Sequence, residues 1–393
     1  MKHPYVGLDD HQFWKRSPGI IDKSDLDPVT GTPFKISSID KIVTAGSCFA
    51  QHVARFMSNS GFNHYITEKA HPAIIPEVSQ RHNYGMFSAR YGNIYTARQL
   101  KQLLLRAYGE FEPLVAAWPG RGAGTVVDPF RPQIAPGGFT SKRELISDRN
   151  HHFSCIRKSI EDMDVFVFTL GLTEGWADTR DGSIFPLAPG VAGGVYDPEL
   201  VAFSNFDEVE TYNDLKYSLE FIRRVNPKVR IILTVSPVPL NATYVDRHVL
   251  VSTAWSKAVL RIAAEKAVAY FDNSAYFPSY EIITSPHVRG AYYASDGREV
   301  LEDGVQHVMR LFMKHYTDVE IHVSPSSPAQ LANDKHTQGM QEAVDILCDE
   351  AAIDNVEQQV RSNKGCGERP RRVIAEKLPD RSSWWERILG RRK

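Results

Sequence analysis

The chain has 393 residues, of which 42% are hydrophobic and 24% are charged, and its formal net charge is -1. This composition excludes a mainly disordered or fibrous chain, and the near-zero net charge gives no general attraction for nucleic acid. No apolar run of about 18 residues or more predicts a membrane-spanning helix, and the first residues lack the apolar stretch of a signal peptide. The four cysteines form no CxxC pair. We therefore expect no disulfide framework, no metal site and a cytoplasmic location.

The first predicted elements form a strand, a tight turn and a helix. Residues 1–38 are polar and contain four prolines, which predicts an irregular lead-in. The β-branched run at 41–45 predicts a strand, and apolar residues then recur at helical spacing over 49–61. Gly46 and Ser47 therefore lie where the strand turns into the helix.

The same alternation continues along the chain. Further strands are predicted over 164–170, 229–235 and 267–271, and further helices over 212–225, 248–264 and 302–315. Near-continuous apolar strands between amphipathic helices are typical of a parallel sheet with helices on both faces. The predicted fold class is therefore α/β, a three-layer α/β/α sandwich.

Two segments interrupt this alternation within the main domain, which we place at 39–323. Residues 110–150 and 176–205 are rich in Gly, Pro and aromatic residues, and they are long for plain connections. They are interpreted as lids or walls of a binding site, with surface insertions as the alternative.

The C-terminal part differs in composition from the main domain. Residues 324–363 are predicted as a Pro/Ser linker followed by a helix, and 364–393 as a basic tail with ten Lys/Arg against four Asp/Glu. Trp384 and Trp385 in this tail favour contact with a membrane surface or a protein partner, with an idle solvated tail as the alternative. Contact with a membrane would make the protein peripheral at the inner membrane.

Ser47 is the first candidate for chemistry. It follows a glycine and precedes a helix, whose N-terminal N–H groups carry a partial positive charge that suits a developing oxyanion. A serine at such a turn is also a favoured N-cap residue, so the local pattern leaves both roles open. The neighbouring Cys48 is a rival nucleophile by its position. We interpret it as a small buried residue, because adjacent side chains point in different directions.

A longer string around Ser47 carries a family resemblance. Residues 44–50, Thr-Ala-Gly-Ser-Cys-Phe-Ala, resemble the motif that names the GSCFA family, a bacterial branch similar to the SGNH/GDSL esterases. Later blocks resemble that family in the same order: Asn83–Gly85, Phe168–Glu174, Ser236–Val238 and Tyr276–Glu281. The resemblance implies a flavodoxin-like sheet and a serine-dependent esterase or O-acyltransferase with Ser47 as nucleophile. The expected substrate carries O-acetyl groups on a glycan or glycan precursor, with an acyl donor in the transferase case and no cofactor.

The resemblance also assigns candidate donors to the oxyanion. These are the backbone N–H groups of Ser47 and Gly85, with Gly92 as a second choice for the latter. The third block reads Gly-Leu-Thr-Glu where the SGNH pattern has Gly-x-Asn-Asp, so the Thr173 hydroxyl stands where an Asn amide is expected. Asn93 is the alternative source of that amide.

The sequence lacks the expected general base at its usual position in the pattern. SGNH enzymes carry Asp-x-x-His before the last helix, whereas here Asp296 matches the Asp and Glu299 falls on the His. His248, which follows a strand at the ligand-binding end of the sheet, is the preferred replacement. Glu299 with a pKa raised by burial is a second possibility, loss of catalysis is a third, and His307 or His287 as the base is a fourth.

Two classes of function remain open from the sequence. The leading one is the serine-dependent ester enzyme, and the alternative is a catalytically inactive SGNH-fold protein for glycan binding or assembly. Aromatic residues of the two insertions are compatible with stacking on sugar rings but also with a core: Trp118, Phe130, Trp176, Phe185 and Tyr196.

Overall fold

The computed structural model describes residues 3–17, 22–318 and 352–353. The predicted linker and helix at 324–363 lie outside the described residues apart from 352–353, and the basic tail at 364–393 lies outside them entirely.

Strands and helices alternate through the described chain. The strands are β1 (Ile42–Gly46), β2 (Trp118–Pro119), β3 (Val126–Val127), β4 (Val165–Leu170), β5 (Glu174–Asp178), β6 (Ile184–Phe185), β7 (Val201–Asn205), β8 (Arg230–Val235) and β9 (Ser274–Tyr276). The α-helices are α1 (Phe49–Asn59), α2 (Pro76–Arg81), α3 (Ala97–Ala107), α4 (Lys142–Asp162), α5 (Glu208–Val225), α6 (Val249–Tyr270), α7 (Ser279–Thr284) and α8 (Glu302–Tyr316). No helix among the described residues is both long and apolar enough to cross a membrane.

The central sheet is parallel and has the strand order β1-β4-β8-β9. His64 forms a single parallel bridge to Ile42 on the outer side of β1. With this bridge counted as a reduced second strand, the order is the 2-1-3-4-5 order of flavodoxin-like folds. The predicted parallel, flavodoxin-like sheet is confirmed.

Side chains alternate between the two faces of this sheet. Phe166, Phe168 and Leu170 point into a core shared with α3, α4, α5 and α6, whereas Val165 and Val167 point into a second core shared with α1, α7 and α8. Because β4 is covered on both faces, all six of its residues are buried. The three-layer α/β/α sandwich is therefore confirmed.

The strand predicted over 267–271 is wrong. Helix α6 continues to Tyr270, and the last strand of the sheet is β9, a few residues later. Ala267 keeps the helical spacing of the buried Leu260, Ala263 and Ala264, and alanine is the strongest helix former. The helix ends at its C-cap residue Phe271, whose backbone is extended, and Asn273, with a φ of 49°, completes the turn into β9.

The two predicted insertions contain small antiparallel sheets. β2 pairs with β3 in the first, and β6, β5 and β7 form a three-stranded sheet in the second. The first insertion ends earlier than predicted, because α4 begins at Lys142, where Ser141 caps it by accepting from the Glu144 N–H.

The N-terminal lead-in packs on the last helix. Ile36 pairs with Thr317, and the buried His307 links α8 to this lead-in through the Leu26 carbonyl, 2.9 Å from its Nε2. Its Nδ1 lies 2.8 Å from the Tyr292 hydroxyl. His307 is thus a structural residue with both ring nitrogens engaged.

His64 gives the fold a pH dependence. Its Nε2 lies 3.2 Å from Thr44 Oγ1 and 3.1 Å from Ser88 Oγ, and burial lowers its pKa from 6.5 to about 4. The unfolded chain therefore binds a proton between these two values that the folded chain does not bind, and stability falls as the pH falls through this window.

We expect His64→Gln to make the free energy of unfolding less sensitive to pH between about 6.5 and 4. The slope should decrease by as much as one proton, or about 1.4 kcal/mol per pH unit. Urea unfolding at several pH values measures it, with His71→Gln at an exposed histidine as the control. Equal slopes for His64→Gln and wild type would contradict the buried neutral histidine.

Candidate active site

Gly46 brings the end of β1 against the neighbouring strand. Its φ is +136°, a conformation that residues with a side chain rarely adopt. A Cβ at this position would lie 2.2 Å from the Thr169 carbonyl oxygen on β4. The Gly46 carbonyl accepts from the Ile94 N–H at 2.7 Å, so the turn is held from both sides. Glycine is therefore required where the chain leaves the sheet and presents Ser47.

Ser47 is buried, with a relative exposure of 2%, and its Oγ has no hydrogen-bond partner among the described residues. A buried hydroxyl without a partner costs free energy, so the fold does not need this hydroxyl. Ser47 borders a cavity of about 10 Å³ whose other lining residues are Cys48, Tyr95, Gly171, Leu172, Ser236, Val238, Pro239 and Leu240. Apart from Tyr95, which precedes α3, these residues follow β1, β4 and β8, at the end of the sheet where open α/β folds bind ligands.

The helix start differs from the simple capping pattern. Cys48, not Ser47, is the N-cap residue of α1, and its side chain makes no capping hydrogen bond. The Ser47 N–H donates to the Thr169 carbonyl at 3.1 Å. The backbone group predicted as an oxyanion donor is therefore engaged within the sheet in this conformation.

The glycines and the asparagine predicted as oxyanion donors lie outside the described lining of the Ser47 cavity. Gly85 has a φ of +82° and borders a different cavity together with residues of α1. Asn93 is buried, and its Oδ1 accepts from Gln51 Nε2 at 3.0 Å. Gly92, the second choice, precedes Asn93 and has a φ of +71°. The described lining of the Ser47 cavity contains none of the three, although Tyr95 of the same segment is part of it.

Thr173 is bonded to residues outside the described lining of the Ser47 cavity. Its hydroxyl donates to Asn205 Oδ1 at 2.7 Å, and its N–H donates to Ser256 Oγ at 3.1 Å. These bonds link the end of β4 to β7 and α6. The Thr173 hydroxyl, which the sequence assigned as a donor to the oxyanion, therefore donates to Asn205 in this structure.

His248 is the N-cap residue of α6 and is exposed. Its Nδ1 accepts from the Leu250 N–H at 3.1 Å, so in the neutral ring Nε2 carries the proton. The segment that leads to His248 begins in the Ser47 cavity with Ser236 and Leu240. His248 is thus connected to the cavity by a loop but is not part of the described cavity lining.

The other candidate bases are also outside that lining. Asp296 lies in an exposed turn, where its Oδ1 accepts from the N–H groups of Arg298 and Glu299 at 2.9 and 3.0 Å, and these bonds lower the pKa of Asp296. Glu299 is exposed. The ring of His287 packs against Trp14 at a centroid distance of 6.0 Å.

The sequence reasoning missed Lys257, a buried lysine on α6. It is 2% exposed, and its Nζ donates to the Gly171 carbonyl at 2.6 Å. Gly171 packs against Ser47, since a Cβ on it would lie 2.9 Å from Ser47 Cβ. Helical spacing from Leu260 and Ala264 places Lys257 on the buried face of α6, and this was the available signal.

Within 3–17, 22–318 and 352–353, no group of three His, Cys, Asp or Glu side chains is arranged to hold a metal ion.

The site is a buried serine on a glycine-dependent turn of an α/β/α sandwich, at the carboxyl ends of parallel strands. The model of the GSCFA family matches residues 41–312, which is more than half of the chain. The protein belongs to the GSCFA family.

Two solved structures are similar to this chain. One is a family 3 carbohydrate esterase of Clostridium thermocellum, with 11% identity and a TM-score of 0.30, and the other is a family 3 carbohydrate esterase from Talaromyces cellulolyticus, with 14% identity and a TM-score of 0.27. Each match covers 70% of this chain and 94% of the other. Similarity at this level carries no inference about activity. No curated protein matches the chain significantly.

Proposed function

We propose that the protein is a serine-dependent ester enzyme, an esterase or O-acyltransferase, with Ser47 as its nucleophile. The observation that supports this proposal is the Ser47 hydroxyl itself, buried and without a described hydrogen-bond partner at the ligand-binding end of the sheet. The turn before Ser47 requires glycine at position 46, because no larger residue fits there. Membership of the GSCFA family agrees with this role.

In the proposed reaction, Ser47 Oγ attacks an ester carbonyl and a base accepts its proton, which gives a tetrahedral intermediate. The ester C–O bond then breaks, and the base returns the proton to the leaving alcohol, so that an acyl-enzyme remains. Water then releases the acyl group in an esterase, whereas an acceptor hydroxyl does so in an acyltransferase. The Lys257 amino group donates to the Gly171 carbonyl, and Gly171 packs against Ser47, so this contact fixes the backbone beside the reacting serine. We assign the base to His248.

This assignment requires movement of the loop between β8 and α6. The cavity of about 10 Å³ has room for no more than about one water molecule, so a substrate needs the loop to open. The contacts that hold the loop closed include two to the carboxylate of Glu174, to which Thr243 Oγ1 and the Tyr244 N–H donate at 2.6 and 3.1 Å. Their release would free Ser47 and would let His248 leave its capping position.

An aromatic surface beside this loop supports a glycan substrate. Tyr244 packs edge-on against Trp176 at 4.8 Å, and Trp176 contacts Tyr196 at 5.6 Å. Tyr196 and Tyr244 are 42% and 41% exposed. Tyr244 is four residues beyond Leu240 of the Ser47 cavity, a separation of at most about 15 Å. Trp118 of the first insertion and Phe185 of the second, which were also candidates for stacking, are buried together in a small core that the two insertions share.

The variant His248→Asn tests the base separately from the helix cap. Asparagine caps helices well, so we expect thermal stability close to that of wild type, whereas His248→Ala should lose about 1 kcal/mol. Both variants should lower kcat/KM on p-nitrophenyl acetate by at least about 100-fold and change the pH profile of the activity. An unchanged pH profile in His248→Asn would assign the base elsewhere, with Glu299→Gln as the next variant.

A second candidate function is glycan binding without catalysis. The observation in its favour is the same Ser47 Oγ, because no described histidine or carboxylate lies within hydrogen-bond reach of it. A panel of p-nitrophenyl and sugar acetate esters separates the two functions. Turnover that depends on Ser47 supports the enzyme, and binding of the sugars without turnover supports the alternative.

A further inference from the structure

A second cavity lies between α3, α4 and the two insertions. Its volume is about 30 Å³, compared with about 10 Å³ beside Ser47. Gln99, Gln102 and Arg106 of α3 line one side, and His152 of α4 and Phe130 of the first insertion also border it. A space of this size is large enough for a water molecule or a small ion and too small for a sugar.

Arg106 is the unusual member of this lining. It is 8% exposed, and its guanidinium carbon lies 3.7 Å from the ring centroid of Phe130 and 5.2 Å from that of Phe153. Its Nε is buried and has no hydrogen-bond partner among the described residues. Burial lowers the pKa of Arg106 to about 9, which keeps it protonated at neutral pH. The cavity therefore contains a positive charge with an unused donor.

His152 contributes a second unpartnered atom. It is 1% exposed, and its Nδ1 lies 2.6 Å from Glu68 Oε2. The carboxylate holds the ring proton on Nδ1, so Nε2 of the neutral ring can accept a hydrogen bond. This Nε2 is buried and has no described partner.

The charges around the cavity do not balance. Four arginines (Arg90, Arg106, Arg131, Arg149) face three carboxylates (Glu68, Asp128, Asp148) in one cluster. Each carboxylate already has an arginine partner at 3.4 Å or less: Glu68 with Arg90, Asp128 with Arg131 and Arg149, and Asp148 with Arg90 and Arg131. Among the described residues of this cluster, Arg106 is the arginine without a carboxylate partner. Asp128 acts on Arg106 through its charge, but both of its oxygens are bound by other arginines.

We propose that this cavity is a binding site for a small monovalent anion, chloride or a short carboxylate such as acetate, on the guanidinium of Arg106. A buried unpaired charge is strongly unfavourable, and a bound anion compensates for it. A water that accompanies the anion donates a hydrogen bond to His152 Nε2. The site is separate from Ser47 and does not depend on the proposed catalysis.

Thermal unfolding of the full chain in different sodium salts at equal ionic strength tests the site. The reference salt is gluconate, whose anion is too large for the cavity. In wild type, chloride or acetate should raise the midpoint temperature by a few degrees, saturably with concentration, because a ligand that binds the folded state stabilises it. Saturation by chloride identifies a halide site, and saturation by acetate alone identifies a carboxylate site. If neither salt differs from gluconate, the proposal is wrong.

Two variants make the test specific. Arg106→Met keeps the packing on Phe130 but removes the charge, so the saturable effect should disappear, and stability in gluconate should equal or exceed that of wild type. Arg180→Met removes the same charge at a more exposed arginine paired with Asp178, and it should keep the effect. If Arg106→Met does not fold, Arg106→Lys should shift the half-saturating anion concentration several-fold. An unshifted value in a folded Arg106 variant would contradict the site.

Discussion

The variant Ser47→Ala is expected to lose ester turnover by more than about a thousandfold while the protein remains folded. The first effect follows from removal of the proposed nucleophile. The second follows from the structure, because Ser47 Oγ has no described hydrogen-bond partner and its removal breaks no capping bond. The midpoint of thermal unfolding should therefore stay within a few degrees of wild type or rise slightly.

The matched control is Cys48→Ala, the neighbouring position on the same turn. Cys48 is a buried side chain of similar size, so this variant makes a comparable change on the same turn and should keep its turnover. Activity is measured on p-nitrophenyl acetate, and folding by circular dichroism. Turnover retained by Ser47→Ala and lost by Cys48→Ala would transfer the nucleophile to the cysteine.

The variant Gly46→Ala is expected to be strongly destabilised, by about 3 kcal/mol or more. The added methyl would lie 2.2 Å from a backbone oxygen of β4, which cannot move without breaking the sheet, and the φ of +136° is unfavourable for alanine as well. Urea unfolding of the variant measures the loss.

Gly85→Ala separates the steric clash from the backbone strain. Gly85 also has a positive φ, +82°, but a Cβ there would meet nothing within 4 Å. It should lose about 1 kcal/mol. If both variants lose the same amount, close packing of the turn against β4 is not what requires glycine at position 46.

Local sequence patterns predicted the parts of the fold that depend on local physics. β4 and β8 were evident because strands covered on both faces need continuous apolar runs, and the Gly46-Ser47 turn was evident from the change of hydrophobic period. The error at 267–271 has the same origin. A short Ala-Val-Ala-Tyr-Phe run suits a strand or the end of a buried helix, and packing of Ala267 in the core decided between them.

The candidate site was predicted less completely, because its chemistry depends on where side chains point. Thr173 occupies the expected position along the chain, yet its hydroxyl is bonded to Asn205. His248 was found from its place after β8, but its role as a helix cap depends on the start of α6. Lys257 and Arg106 were missed because a charged residue on a helix is usually exposed, and only the packed structure places them inside.

Covalent trapping at Ser47 tests the central claim most directly. The full chain is incubated with a fluorophosphonate, which forms a stable bond with activated serines, and the modified residue is located by peptide mass spectrometry. Stoichiometric labelling at Ser47, lost in Ser47→Ala and slowed in His248→Asn, is the predicted result. Labelling at another residue, or none under conditions in which the protein turns over an ester, would contradict Ser47 as the nucleophile.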